Sequence, residues 1–262
     1  MAEQVRRIAR EEGLSAGVVE KDYAITWLLR GYYRRDSGLR RGLVLKGGTA
    51  IRKVYFLSTW RFSEDLDFTV VGAERTERIR ESLLSTFEAL LRDSGISYAL
   101  ESFHETEGSI MANVRFVGPL GFANVIRHDI TLKERMVLEP VWMPIASHYP
   151  DLHEFEAFVY PLIEILAEKI RSIMQRGYSR DYYDVWRMLK ERGNAGSMLE
   201  STLIQKCELN GVEYEPSLIF DEKRLAEARS YWIKGLGHLT KDLPRFDLVI
   251  SELQGKLGFL RA

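Results

Sequence analysis

The spacing of apolar residues changes character part-way along the chain. Before about residue 150, short apolar or alternating runs are interleaved with helical stretches; beyond it the spacing is helical almost throughout. Residues 2–12 predict a short polar helix, and Ser15 is placed to cap a longer one running to about Arg35, with Val18, Tyr23, Ile25, Trp27, Leu28 and Tyr32 among its apolar positions. The wholly apolar run Leu43-Val44-Leu45 predicts a buried strand entering a tight turn at Gly47-Gly48, after which Thr49 opens a helix through Phe56. Leu66 to Val71 reads as a strand, 76–94 as an amphipathic helix closed by Gly95, and 96–102, 111–117 and 122–132 as further strands. Helices are predicted at 161–176, 179–191, 197–209, 222–235 and 246–256. The expected organisation is therefore α+β: an N-terminal domain over residues 1–150, followed by a helical C-terminal domain over 151–262.

Composition narrows the setting. Hydrophobic residues make up 45% and charged residues 29%, the balance of a folded globular protein. With 37 basic and 38 acidic side chains, the net charge of −1 gives no global attraction for nucleic acid, so any such surface must be a local patch. Arg52, Lys53, Arg61, Arg115, Arg127, Lys133, Arg135 and Arg176 are the candidates for one. Cys207 is the single cysteine, which excludes an internal disulfide or a thiolate metal cluster and suits a reducing compartment. The charged N-terminus lacks the apolar core of a signal peptide, and no apolar run approaches the ~18 residues of a membrane span. A cytoplasmic protein with no membrane partner is expected. The five histidines show no metal-ligand spacing.

Candidate chemistry is concentrated on two strands. In an extended strand, residues i and i+2 point to one side, so Asp65, Asp67 and Thr69 share a face while Leu66 and Phe68 anchor the other in the core. Two carboxylates this close repel unless a cation compensates them, and Mg²⁺ is the natural cation for hard oxygens. Taken alone, an Asp-x-Asp pair reads first as a solvated strand edge. Its neighbours shift the balance. Gly47-Gly48-Thr49, between a strand and a helix, offers backbone N–H groups to phosphate. Asp129 alternates with Arg127 and Thr131, opposite Ile126 and Ile130, and supplies a third metal ligand or a general base. Together these residues point to phosphoryl transfer at Asp65, Asp67 and Asp129.

In the helical half, Lys169 falls inside the apolar stripe Leu162, Ile165, Leu166, Ile170 and Ile173, away from the charged face of Glu164, Glu168, Arg171 and Gln175. An inward ammonium needs a partner, either a structural aspartate or a ligand phosphate. On the next helix, Tyr182, Val185, Trp186 and Leu189 form the core face. Asp181, near the N-terminus, suits a capping or dipole role, while Asp184 lies opposite the core face and is the better site candidate.

Lys46-Gly47-Gly48-Thr49-Ala50-Ile51 followed by Arg61-Phe62-Ser63-Glu64-Asp65-Leu66-Asp67-Phe68 closely resembles the first motif of the AbiEii/AbiGii toxin family. That family includes the MenT toxins and belongs to the polymerase-β-like nucleotidyltransferase superfamily. Glu164-Ile165-Leu166-Ala167-Glu168-Lys169 and Arg180-Asp181-Tyr182-Tyr183-Asp184-Val185-Trp186 are similar to its downstream lysine and Arg-Asp-x-x-Asp motifs, and Lys21-Asp22-Tyr23 to its N-terminal helix. The connection from Gly48 to Asp65 is long for the superfamily and suits the toxin branch.

The resemblance implies a polymerase-β-like core, a mixed sheet flanked by helices, with the helical domain completing the active-site cleft. It implies Mg²⁺-dependent transfer of NMP from an NTP to an RNA acceptor, the tRNA 3′ end, with release of pyrophosphate. It also implies a toxin–antitoxin or phage-abortive-infection role and a cognate antitoxin. Asp65, Asp67, Asp129, Lys169 and Asp184 are then the catalytic set, with Gly47, Gly48, Thr49, Ser63, Lys169 and Arg180 around the nucleotide. Arg180 either contacts phosphate or braces Asp184. A protein hydroxyl or small-molecule acceptor keeps the same chemistry, and a non-catalytic nucleotide- or RNA-binding module is the remaining alternative.

Overall fold

The computed structural model describes residues 1–57, 60–72, 75–145, 147–193 and 196–260. The chain divides into two compact units, Met1–Glu134 with Pro140–Tyr160, and Arg135–Glu139 with Pro161–Ala262. The division after Tyr160, rather than near residue 150, reflects a strand that periodicity missed.

In the first unit, α1 (Ala2–Glu12) is closed by Gly13 in the left-handed region, and the Ser15 hydroxyl accepts the Val18 N–H at 3.4 Å to start α2 (Ala16–Tyr32). That helix stops short of Arg35. The chain turns where the buried Tyr33 hydroxyl donates to the Leu43 and Phe158 carbonyls and Arg34 pairs with Asp36. β1 (Leu43–Lys46) leads into a short helix, α3 (Gly47–Ala50), which runs straight on into a π-helix over Ile51–Phe56. β2 (Asp65–Val70), α4 (Thr76–Ser94, closed by Gly95), β3 (Ser97–Glu105), β4 (Ser109–Val117) and β5 (Ala123–Thr131) follow close to the predicted positions.

β6 (Val141–Ile145) and β7 (Phe155–Val159) lie outside the predicted strands. β6 carries Pro144 and ends the sheet, where a missing N–H costs no ladder bond. Among the described residues the strands form one seven-stranded sheet in the order β3-β4-β5-β2-β1-β7-β6. It is mixed: β2–β5 and β1–β7 are parallel, and the other neighbours are antiparallel. One face is core, with Leu45, Leu66, Phe68, Val114, Ile126 and Ile130 wholly buried. Tyr32 of α2 meets that face edge-on against Phe68, and its hydroxyl lies 2.8 Å from His128 Nε2. Burial of this imidazole lowers its pKa to about 4, so it is a neutral core residue.

The second unit is helical: α5 (Leu162–Arg176), α6 (Ser179–Arg192), α7 (Gly196–Leu209), a 3₁₀ turn at Pro216–Phe220, α8 (Glu222–Leu236) and α9 (Phe246–Leu257). Its charged residues correct the helical-wheel reading. Glu164 and Arg171, expected on a solvated face, are buried. Glu164 accepts the backbone N–H groups of Val137 and Leu138 and pairs with the buried Lys206 at 2.8 Å, fastening the 135–139 segment into this unit. Among the described residues no helix is long and apolar enough to cross a membrane.

Candidate functional site

Sheet register fixes the acidic residues before any side chain is considered. β1 pairs with β2 so that Lys46 lies opposite Asp67, and β2 pairs with β5 so that Asp65 lies opposite Arg127 and Asp67 opposite Asp129. Paired residues on neighbouring strands point to the same face, ~4.8 Å apart. Lys46, Asp67 and Asp129 therefore form one row across three strands, with Asp65 two residues along on the same side. The opposite face is the core, so the carboxylates stand on a rigid support. Asp65, Asp67 and Asp129 are partly exposed, and the Arg127 guanidinium is 3.9 Å from Asp129.

The glycine turn is pressed against this row. Gly47 has φ +68, and a Cβ built there would fall 2.2 Å from Asp67 Oδ2 and 2.9 Å from its Cγ. A Cβ on Gly48 would fall 3.0 Å from Arg61 Nη2 and 3.1 Å from Ser63 Oγ. Backbone, carboxylate, hydroxyl and guanidinium thus meet at one corner. Thr49 plays a different part: it is buried, and its hydroxyl donates to the Asp65 carbonyl at 2.6 Å. It pins the turn to the acidic strand rather than offering a free hydroxyl to phosphate.

Below the turn, Asp22 of α2 is a buried clamp. It accepts from Arg52 Nε at 3.0 Å, Lys53 Nζ at 2.6 Å and the Tyr149 hydroxyl at 2.8 Å. Burial works against its charge, but Lys53 and Arg52 overcome that and lower its pKa to about 2. Arg52, Lys53 and Arg61 are therefore interior residues and not part of a basic surface patch. Arg115, Arg127, Lys133, Arg135 and Arg176 are exposed.

In the second unit, Lys169 Nζ lies 2.7 Å from Asp181 Oδ1 and 3.1 Å from Asp184 Oδ2. Of the two partners considered for an inward lysine, the aspartates are present. Asp184 is fully buried, not on the solvent side of α6, and Asp181 serves as an ion-pair partner, with Arg176 at 3.5 Å from its other oxygen. Arg180 donates from Nε to the Gly235 carbonyl at 3.1 Å, which ties α6 to α8.

Sequence reading left Lys46, Asp22 and Tyr149 without roles. For Lys46 the signal was available, since it directly precedes the glycines on a strand. The clamp around Asp22 joins positions 22, 52, 53 and 149, which no local pattern links.

A divalent cation suits the donors present. Asp65, Asp67 and Asp129 offer hard carboxylate oxygens from one rigid face, and Mg²⁺ commonly takes one or two carboxylates together with substrate phosphates and water. Among the described residues no three or more His, Cys, Asp or Glu side chains are gathered into a ready-made cage.

Comparison with known proteins bears on the fold and the family. No curated protein sequence matches significantly. Among solved structures the chain is similar to MenT4, a nucleotidyltransferase toxin from Mycobacterium tuberculosis H37Rv, with a TM-score of 0.72 and 20% identity over 99% of this chain and 89% of that one. At that identity the likeness establishes the fold: a mixed sheet flanked by helices and followed by a helical C-terminal region. The sequence model for "Nucleotidyl transferase AbiEii toxin, Type IV TA system" matches residues 27–252. This span includes the glycine turn, the acidic strands and the lysine–aspartate pairs, and on it the chain belongs to the AbiEii nucleotidyltransferase toxin family of type IV toxin–antitoxin systems.

Proposed function

We propose that this protein transfers NMP from an NTP to an RNA acceptor, the 3′ end of tRNA, and releases pyrophosphate. The observation that carries the reading is the register of Asp67 with Asp129, with Asp65 on the same face and the Gly47-Gly48 turn against Asp67. The backbone N–H groups of the turn and the Ser63 hydroxyl bind the triphosphate, while Lys169, a catalytic residue by family resemblance, is held within the helical unit by Asp181 and Asp184. The acceptor hydroxyl attacks the α-phosphorus: a new P–O bond forms, the bond to pyrophosphate breaks, and the hydroxyl proton passes to Asp129. Asp65, Asp67 and, in the alternative role for that residue, Asp129 would hold Mg²⁺, whose contribution there is to neutralise charge on the triphosphate. Arg180 braces the segment that carries Asp181 and Asp184. The setting is cytoplasmic, and a cognate antitoxin is the expected partner of a type IV toxin.

The test is incubation with each α-³²P-NTP, Mg²⁺, total RNA and a protein extract. Label should enter small RNA with the wild type and vanish with Asp65→Ala or EDTA, while thermal unfolding shows the variant folded. Undiminished transfer by folded Asp65→Ala refutes the assignment, and label confined to protein refutes the RNA acceptor.

A further inference from the structure

The acidic face holds its own cation. Three carboxylates stand on two neighbouring strands, and Lys46 of β1 extends their row directly beside Asp67. Lysine is seldom buried without an opposite charge, and Lys46 is 7% exposed. On its other flank is the ring of Tyr160, 5.7 Å away, whose hydroxyl lies 2.7 Å from Thr69 Oγ1 on the same face of β2. The residue after Lys46 is Gly47, and the approach of Asp67 Oδ2 to within 2.2 Å of a notional Cβ there shows the carboxylate lying against that stretch of backbone. We infer that Lys46 is a positioning residue, the resident counter-cation of Asp67, which keeps that carboxylate seated against the glycine turn until nucleotide and a divalent cation arrive.

The inference rests on the reading of Asp67 as a metal-binding carboxylate. Before the metal binds, the lysine compensates the repulsion that neighbouring acids impose on one another. Once a divalent cation is present, part of that compensation is duplicated. The lysine therefore matters most in the metal-free protein, which separates this role from packing alone.

Thermal unfolding of the full chain tests it, with wild type, Lys46→Met, Lys46→Arg, Asp67→Asn and the Lys46→Met/Asp67→Asn double variant in EDTA and in Mg²⁺. In EDTA, Lys46→Met should lower the Tm by roughly 3–8 °C, as expected for leaving a part-exposed carboxylate without its cation in a chain of this size. The double variant should lose clearly less than the sum of the two single losses. Mg²⁺ should raise the Tm of Lys46→Met more than that of the wild type, and Lys46→Arg should behave like the wild type. Additive losses, or equal Mg²⁺ increments, overturn the inference. If Lys46→Met does not fold, recovery of folding in the double variant supports it, and failure of both overturns it. Label transfer by the wild type keeps the two ideas distinguishable. An inactive wild type with intact coupling refutes the enzymatic reading alone, and an active wild type with additive losses refutes the counter-cation role alone.

Discussion

Replacing Gly47 with alanine tests the site most directly, because its cost can be worked from the structure. Gly47 sits at φ +68, where an L-residue costs ~1–2 kcal/mol. The added methyl would lie 2.2 Å from Asp67 Oδ2, 2.9 Å from Cγ and 3.0 Å from Cβ. Non-bonded atoms settle near ~3.5 Å, so the carboxylate must retreat by about 1 Å. The contact with Asp67 Cβ means that rotating the carboxylate is not enough; the strand must also give.

A displacement of ~1 Å in a catalytic group costs about 100-fold in rate, equivalent to ~2.7 kcal/mol of barrier. The Tm should fall by roughly 3–8 °C. Gly48→Ala is the internal control. Its methyl meets only the ends of Arg61 and Ser63, at 3.0 and 3.1 Å, and those ends can move aside. Its loss should stay below about 5-fold, a shift under ~1 kcal/mol. The measurement is kcat/KM for label transfer beside thermal unfolding of both variants. Gly47→Ala activity within about 3-fold of wild type, a change of only ~0.6 kcal/mol, would refute the close placement of turn and carboxylate.

Three further outcomes follow from buried titratable groups. Asp22→Asn leaves Arg52 and Lys53 without their carboxylate and should cost about 3–5 kcal/mol at pH 7 by urea unfolding. Asp22 has a folded pKa of about 2, below its unfolded value, so its contribution is full above about pH 4 and is lost as pH falls toward 2; the gap between wild type and variant should close over that window. His128, with a folded pKa of about 4, is likewise stabilising above its unfolded pKa and loses that as pH falls, so His128→Gln should flatten the stability–pH curve between about pH 6.5 and 4. Lys206→Met strands the buried Glu164 carboxylate and should destabilise the helical unit by about 3–5 kcal/mol, seen as an earlier urea transition followed by tryptophan fluorescence.

Much of this molecule was legible from spacing alone. Alternation placed Asp65 and Asp67 on one face of β2 and Asp129 on the matching face of β5, and helical periodicity located α4 to α9 within a residue or two. Pairing partners were not legible: nothing in either strand says that Asp67 lies opposite Asp129, because register depends on the whole sheet. β6 and β7 were missed for a different reason: Pro144 interrupts the first, and the second, Phe155–Val159, is too short for its alternating burial to stand out. The wheel projection failed on Asp184 and Glu164, which it set on the polar side. Their burial is compensated by Lys169 and Lys206, partners from elsewhere in the unit that one helix cannot reveal.

The segment Arg135–Glu139 gives the chain an interrupted itinerary. The polypeptide leaves the first unit after Glu134, visits the second for five residues, returns at Pro140 and departs again after Tyr160. A single cut therefore cannot separate the two. A fragment ending at Tyr160 would carry Val137 and Leu138 away from the Glu164 carboxylate that receives their N–H groups, and a fragment starting at Pro161 would expose that carboxylate and Lys206 to solvent. During synthesis, the sheet-bearing unit can be finished while this short excursion still waits for α5 and α7 to emerge. Autonomous expression of either half calls for splicing 134 to 140 with a short linker, or supplying 135–139 to the helical half in trans.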